Sequence, residues 1–175
     1  MKSPQKNSKE RYQQLEHGYA LLLERAVKTF EDLEKKSAPV LRHLLDTAKD
    51  KAVELEELTL EEAEQVKEYV THDLHDAARH LIEEERELAD WLRLDLLLVE
   101  RQLLHNFSTL AELARLEFKH LMKDPRHALE WHTGEIVGIG ALQCESCGKQ
   151  IHFHKPGHIP PCSGCHGTCF HRAHI

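Results

Sequence analysis

Cys144-Glu145-Ser146-Cys147 and Pro161-Cys162-Ser163-Gly164-Cys165 are the two stretches that decide the fold. Each contains a Cys-x-x-Cys pair, and the fourteen residues 148–161 separate the pairs. A two-residue spacer lets both sulfurs of a pair reach one ion, and two such pairs supply the four thiolates of a tetrahedral zinc site. The spacing therefore predicts two tight knuckles, joined by a β-hairpin between them, with Cys144, Cys147, Cys162 and Cys165 holding one structural Zn2+. Tetrahedral sulfur also accepts iron.

Outward from the pairs, Gln150-Ile151-His152-Phe153-His154 alternates polar and apolar as a half-exposed strand does. Lys155-Pro156-Gly157 reads as a turn, and Thr168 to Arg172 as a last strand. On the N-terminal side, residues 131–143 are rich in Gly and β-branched residues and read as strand with bends. With few apolar residues of its own, such a module is expected to take much of its folding free energy from the metal, and to be disordered without it. Cys169 is a fifth thiol four residues beyond Cys165; it reads as a small strand residue, with ligand replacement or a redox role as alternatives. His152, His154, His158, His166, His171 and His174 are scattered donors, less specific than the paired thiols.

The composition changes abruptly at about residues 125–131. Residues 1–130 hold 20 Lys/Arg against 28 Asp/Glu, no Cys and a single Gly; residues 131–175 hold all five Cys and seven of the 15 His. This divides the chain into a flexible N-terminus (1–9), a helical arm (10–125) and a zinc-ribbon domain (131–175). In the arm, Tyr12, Leu15, Tyr19, Leu22, Ala26, Phe30 and Leu33 recur in steps of three and four, one stripe of a helix. Ser37 ahead of Pro39 signals a second helix, striped by Val40, Leu41, Leu44, Leu45, Ala48, Ala52 and Leu55. Thr59-x-x-Glu62 has the form of a capping box and opens a third, long helix running to about His105. The more uniformly apolar segment around Leu94 to Leu104 suggests burial on more than one side. Asn106 to Thr109 reads as an interruption, Thr109-x-x-Glu112 as another capping box, and Lys123-Asp124-Pro125 as the end. The fold class is mainly α: a long helical hairpin or bundle with coiled-coil character, followed by a small β zinc ribbon.

No complete catalytic constellation is present. Pro161-Cys162-x-x-Cys165 matches half of the zinc-deaminase signature, but no His-x-Glu accompanies it, and four thiolates would close the site to water. Gly134, Gly138 and Gly140 precede a Cys knuckle rather than the Lys-Ser/Thr and helix of a phosphate loop, and read as bends or close backbone contacts. Glu117-x-x-His120 is a single Glu-x-x-His motif where a di-metal bundle needs two. His72, Asp76 and His80 share a helix face and read as solvent-exposed.

His132-Thr133-Gly134-Glu135-Ile136-Val137-Gly138-Ile139-Gly140, then Leu142 and the two Cys pairs, resemble the YbeL-like bacterial zinc-ribbon family of unknown function. The resemblance covers about the last quarter of the chain. It implies a helical N-terminal region with a C-terminal zinc ribbon, in the cytoplasm, without an assigned activity. Departures are Ser163 and His166, where the family's second knuckle has Pro and Gly, the extra Cys169, and the number of His residues.

The leading functional expectation is a noncatalytic interaction or adaptor protein. Its arm would mediate self-association or protein docking, and its ribbon would present a rigid surface. Nucleic-acid or transcription-apparatus binding is the alternative, with Trp131, Phe153 and Phe170 as stacking candidates, against a net charge of −7 that discourages phosphate contact. A thiol-redox or metal-responsive switch is the third. The longest apolar run, Leu96 to Val99, is too short for a membrane span, and the first residues lack a secretory apolar stretch, so a cytoplasmic protein is expected.

Overall fold

The computed structural model describes residues 7–33, 41–83, 87–121 and 130–173. The proposed helix start at Ser37 and Pro39, the stop at Lys123 to Pro125, the side chain of His120, and His174 lie outside them. Among the described residues, five α-helices come first: α1 (Ser8–Asp32), α2 (Leu41–Glu54), α3 (Leu60–Glu83), α4 (Leu88–Leu92) and α5 (Arg101–Leu121). Six short strands follow: β1 (Glu130–His132), β2 (Ile136–Val137), β3 (Gly140–Cys144), β4 (Gln150–Phe153), β5 (Gly157–His158) and β6 (Cys169–Arg172).

Helices α1, α2, α3 and α5 form a bundle around the stripes legible in the sequence: Leu15, Leu22, Leu44, Val66, Leu74, Phe107 and Leu110 are all buried. The capping box forms as expected, with the amide of Glu62 donating to Thr59 Oγ1 (3.2 Å) and the amide of Thr59 donating to the Glu62 carboxylate (2.9 Å). Glu117 serves a structural end: its carboxylate accepts from the amide of Leu41 at 2.6 Å, one of the amides left unpaired at the start of a helix.

Two helix boundaries differ from expectation. The long third helix is not continuous to His105: α4 ends at Arg93, whose φ of 49° is left-handed. Asp95 then accepts from the amide of Leu97 at 3.0 Å and caps a one-turn 3-10 helix, Leu96–Leu98. The apolar run there is not buried on several sides; Leu97 is 93% exposed and Leu98 65%. Conversely, α5 runs without interruption through Asn106 to Thr109, because Ser108 and Thr109 turn their hydroxyls onto the carbonyls of Leu104 and His105 and leave the backbone helical.

The strands form two antiparallel sheets, one of order β1-β6-β3-β4 and one of β2-β5. This corrects the expected hairpin between the knuckles. β4 pairs back on β3, while the turn at Pro156 sends the chain into the other sheet, where Gly157 and His158 pair with Val137 and Ile136. The ribbon has a core of its own, in which Trp131, Val137, Leu142, Ile159 and Phe170 pack with Cys144 and Cys162. Ile151 and Phe153 pack against this core half-buried, whereas Ile136 and Ile139 belong to the core of the helical bundle.

Candidate metal centre and the buried charges behind it

The first knuckle follows β3, with the amide of Gly148 donating to the carbonyl of Cys144 (2.9 Å) and that of Cys144 to Lys149 (2.9 Å). The second is closed by His166 to Cys162 (2.8 Å) and Cys162 to Gly167 (2.9 Å). His166 has a φ of +59°, the left-handed region that favours Gly; His is among the side chains that tolerate it best. β6 joins the knuckles, since Cys169 accepts from the amide of Glu145 at 3.1 Å and Phe170 pairs with Cys144.

All four sulfurs lie within 4.8 Å of one another. Cys144 and Cys165 are 3.5 Å apart, as are Cys147 and Cys162. A tetrahedron of sulfurs at ~2.3 Å from zinc has edges of ~3.8 Å, so the cluster is of the right size. The amides of Gly164 and Gly167 donate to the sulfurs of Cys162 and Cys165, each at 3.4 Å. A Cβ on Gly167 would meet the sulfurs of Cys144 and Cys165 at 3.2 Å, so the backbone closes tightly over the cluster. The amides of Gly164 and Cys165 lower the Cys162 thiol, favouring the thiolate a metal needs, whereas the amide of Gly167 is outweighed at Cys165 by the sulfurs of Cys147 and Cys144, which raise that thiol. Cys144 and Cys162 are buried; Cys147 and Cys165 are exposed.

Behind this centre lies a group of residues that the sequence reading did not identify. Arg172, on β6, is 1% exposed and pairs with Asp73 of α3, which is 0% exposed. Asp73 also accepts from Tyr19 Oη and from the amide of Gly138, both at 2.6 Å. Arg172 Nε is 3.4 Å from Asp76, and its guanidinium stacks 4.4 Å from the ring centroid of Trp91. Gly140, at φ +134°, makes this possible: a Cβ there would lie 2.3 Å from Arg172 Nη1. At Gly138 it would lie 2.4 Å from the Tyr19 hydroxyl. These glycines are close backbone contacts, as their sequence context indicated.

The face shared by His72, Asp76 and His80 is therefore not a solvated one. Asp76 is 1% exposed, His80 is buried, and His72 stacks on Trp131 with centroids 4.0 Å apart. Burial pushes the Asp76 carboxyl up to about 7, with Asp73 adding to the rise and the cations Arg172 and Arg79 opposing it. Burial, then the charge of Asp73, also raises the Tyr19 hydroxyl, which stays a proton donor.

The elevated Asp76 value has a defined sign. The native state holds a proton that the unfolded chain releases in the ordinary carboxylate range, so this contribution to stability is full below that range and lost as pH rises through about 7. Raising the pH from about 5 to about 7 is expected to destabilise the wild type relative to Asp76→Asn by about 1 kcal/mol per pH unit, the loss levelling off above about 8, read from urea midpoints. A difference independent of pH would contradict the assignment.

Bundle, ribbon and four-sulfur cluster together define a helical zinc-ribbon protein that binds zinc. The chain belongs to the family described as a zinc-ribbon containing domain, whose profile matches residues 28–174 and thus takes in most of the helical bundle as well as the ribbon. It is similar to "Uncharacterized protein YbeL" of Escherichia coli (strain K12), 28% identical over 117 residues, or 67% of this chain and 69% of that protein. The YbeL proteins of the O6:H1 and O157:H7 strains match to the same extent. No solved structure matches the chain. Among the described residues, no helix is long and apolar enough to cross a membrane.

Proposed function

We propose that this is a noncatalytic interaction protein in which Cys144, Cys147, Cys162 and Cys165 hold one structural zinc ion, and the helical unit offers the docking surface to a protein partner. The observation that carries this reading is the closed sulfur cluster. Four thiolates fill a tetrahedral ion, two of them are buried, and backbone amides donate to the sulfurs of Cys162 and Cys165, so a water nucleophile has no position. The ion acts through the fold: it fixes the second knuckle and hence β6, which carries Arg172 onto α3.

The docking surface is read from Leu97 and Leu98, which Asp95 holds outward on the 3-10 turn. Beside them lies a groove of about 520 Å³ lined by Leu98, Leu103, Phe153 and Pro156, with Glu16 and Glu100 at its walls. Covering a Leu side chain is worth about 1.5–3 kcal/mol, which gives an apolar partner segment its driving force. The same burial pattern weighs against base stacking, since Trp131 and Phe170 are fully buried in the ribbon core. It weighs against a peroxide-sensing thiol too: a hydrogen bond to Glu145, then burial, pushes Cys169 up to about 11 and keeps it protonated.

A photo-crosslinking residue at position 97 is expected to give a discrete protein adduct in cells, whereas the same probe at exposed Glu24 of α1 gives none. Absence of any adduct at 97, in protein carrying its zinc, would refute the docking assignment.

A further inference from the structure

We propose a second, exchangeable zinc site on the outer face of the four-stranded sheet, formed by Glu130, His132 and Cys169. The register of the sheet creates it. β1 and β6 are antiparallel with His132 opposite Cys169, Trp131 opposite Phe170 and Glu130 opposite His171. Side chains alternate between faces along a strand, so Trp131, Phe170 and Arg172 point into the core while Glu130, His132, Cys169 and His171 share the other face. A carboxylate oxygen, an imidazole nitrogen and the thiol sulfur of Glu130, His132 and Cys169 lie within 4.8 Å of one another. Unlike the ribbon ligands, Glu130 and His132 are exposed and Cys169 is half-buried, so an ion can enter and leave.

The neighbours suit a cation. The Glu145 carboxylate stands close enough to the Cys169 thiol to raise it, and brings a second carboxylate to the site. Glu135 accepts from the amide of His132 at 2.7 Å and stands 4.0 Å from its Nδ1, adding negative charge beside the ring. The fixed cations of the ribbon are elsewhere: Arg172 is buried on the opposite face, Lys149 packs its stem at the knuckle beside Gly164, and Lys155 lines the groove near Leu98. Sulfur, nitrogen and oxygen together form a borderline donor set, the kind that selects zinc over the hard cations magnesium and calcium. Three such ligands on two strands leave a coordination position open, in contrast to the closed four-sulfur centre. On binding, the Cys169 thiol gives its proton to solvent and its sulfur becomes the metal ligand.

The test is a zinc titration of the full chain, already carrying its ribbon zinc, in competition with a chromophoric chelator. The wild type is expected to take up a second equivalent. Cys169→Ser and His132→Gln are each expected to weaken that equivalent at least tenfold while the first equivalent stays bound. With Co2+ as the added ion, a sulfur-to-cobalt charge-transfer band is expected in the wild type and absent in Cys169→Ser. No second equivalent in the wild type, or a second equivalent of unchanged affinity in both variants, would overturn the proposal. Because the ribbon zinc is counted separately, failure here is distinguishable from failure of the four-cysteine assignment.

Discussion

Arg172→Met is expected to destabilise the protein by about 3–5 kcal/mol, the cost typical of removing one partner from a buried ion pair. The side chain removed is one of the most enclosed in the molecule, at 1% exposure, and Asp73 is more enclosed still. Methionine fills much of the volume but leaves Asp73 with only Tyr19 Oη and the amide of Gly138 to balance its charge. It also removes the cation from the face of Trp91 and from the neighbourhood of Asp76. For a chain of this size the loss corresponds to a fall in Tm of about 10–15 °C. Lysine would not substitute, because one ammonium cannot pair with Asp73, approach Asp76 and stack on an indole at once. The double variant Asp73→Asn/Arg172→Met should recover a large part of the loss, since it removes the uncompensated charge along with its partner. A single-variant effect below about 1 kcal/mol, or no recovery in the double variant, would show that this pair does not lock the ribbon to the bundle.

That pair also marks where sequence reading reached its limit. The knuckles were legible because a metal imposes short-range spacing, and the bundle because burial imposes a period on Val66, Val70, Leu74 and Ala77. Asp73 falls seven residues after Val66 and three after Val70, in phase with that apolar stripe; a carboxylate there was the available signal of a buried partner. Arg172 gave a matching sign, two residues after Phe170 and so on the same buried face of its strand. Neither residue names the other, because the contact joins positions 99 apart and the tertiary fold alone brings them together. The break after Leu92 was hidden for a different reason. Nothing in the composition of Leu94 to Leu104 distinguishes a buried helix from a 3-10 turn that leaves Leu97 outside. The hairpin between the knuckles failed likewise, since strand pairing depends on partners, and β5 finds its partner in β2 rather than in its neighbour β4.

The second large effect should come from removing the metal. Cys162→Ser, or treatment of the wild type with a strong chelator, is expected to unfold the ribbon while much of the bundle stays helical. Structural zinc supplies on the order of 10 kcal/mol in small ribbons and fingers, more than the five apolar residues of this core could replace. The consequences should pass into the helices by a specific route. Without the second knuckle, β6 loses its anchor, and Arg172 leaves Asp73 and Asp76. Ile136 and Ile139 then withdraw from the bundle core, at about 1.5–3 kcal/mol each. Hydrogen exchange should report this order, with the amides of Cys144, Ile159 and Cys162 losing protection first, those of α3 around Asp73 weakened, and those of α2 least affected, since α2 packs on α1, α3 and α5. Zinc restored to the chelated wild type should return all three, whereas Cys162→Ser should not respond. Equal protection of the ribbon amides with and without zinc would mean that the small apolar core holds β6 in place by itself, and the metal would then need a role other than holding the fold.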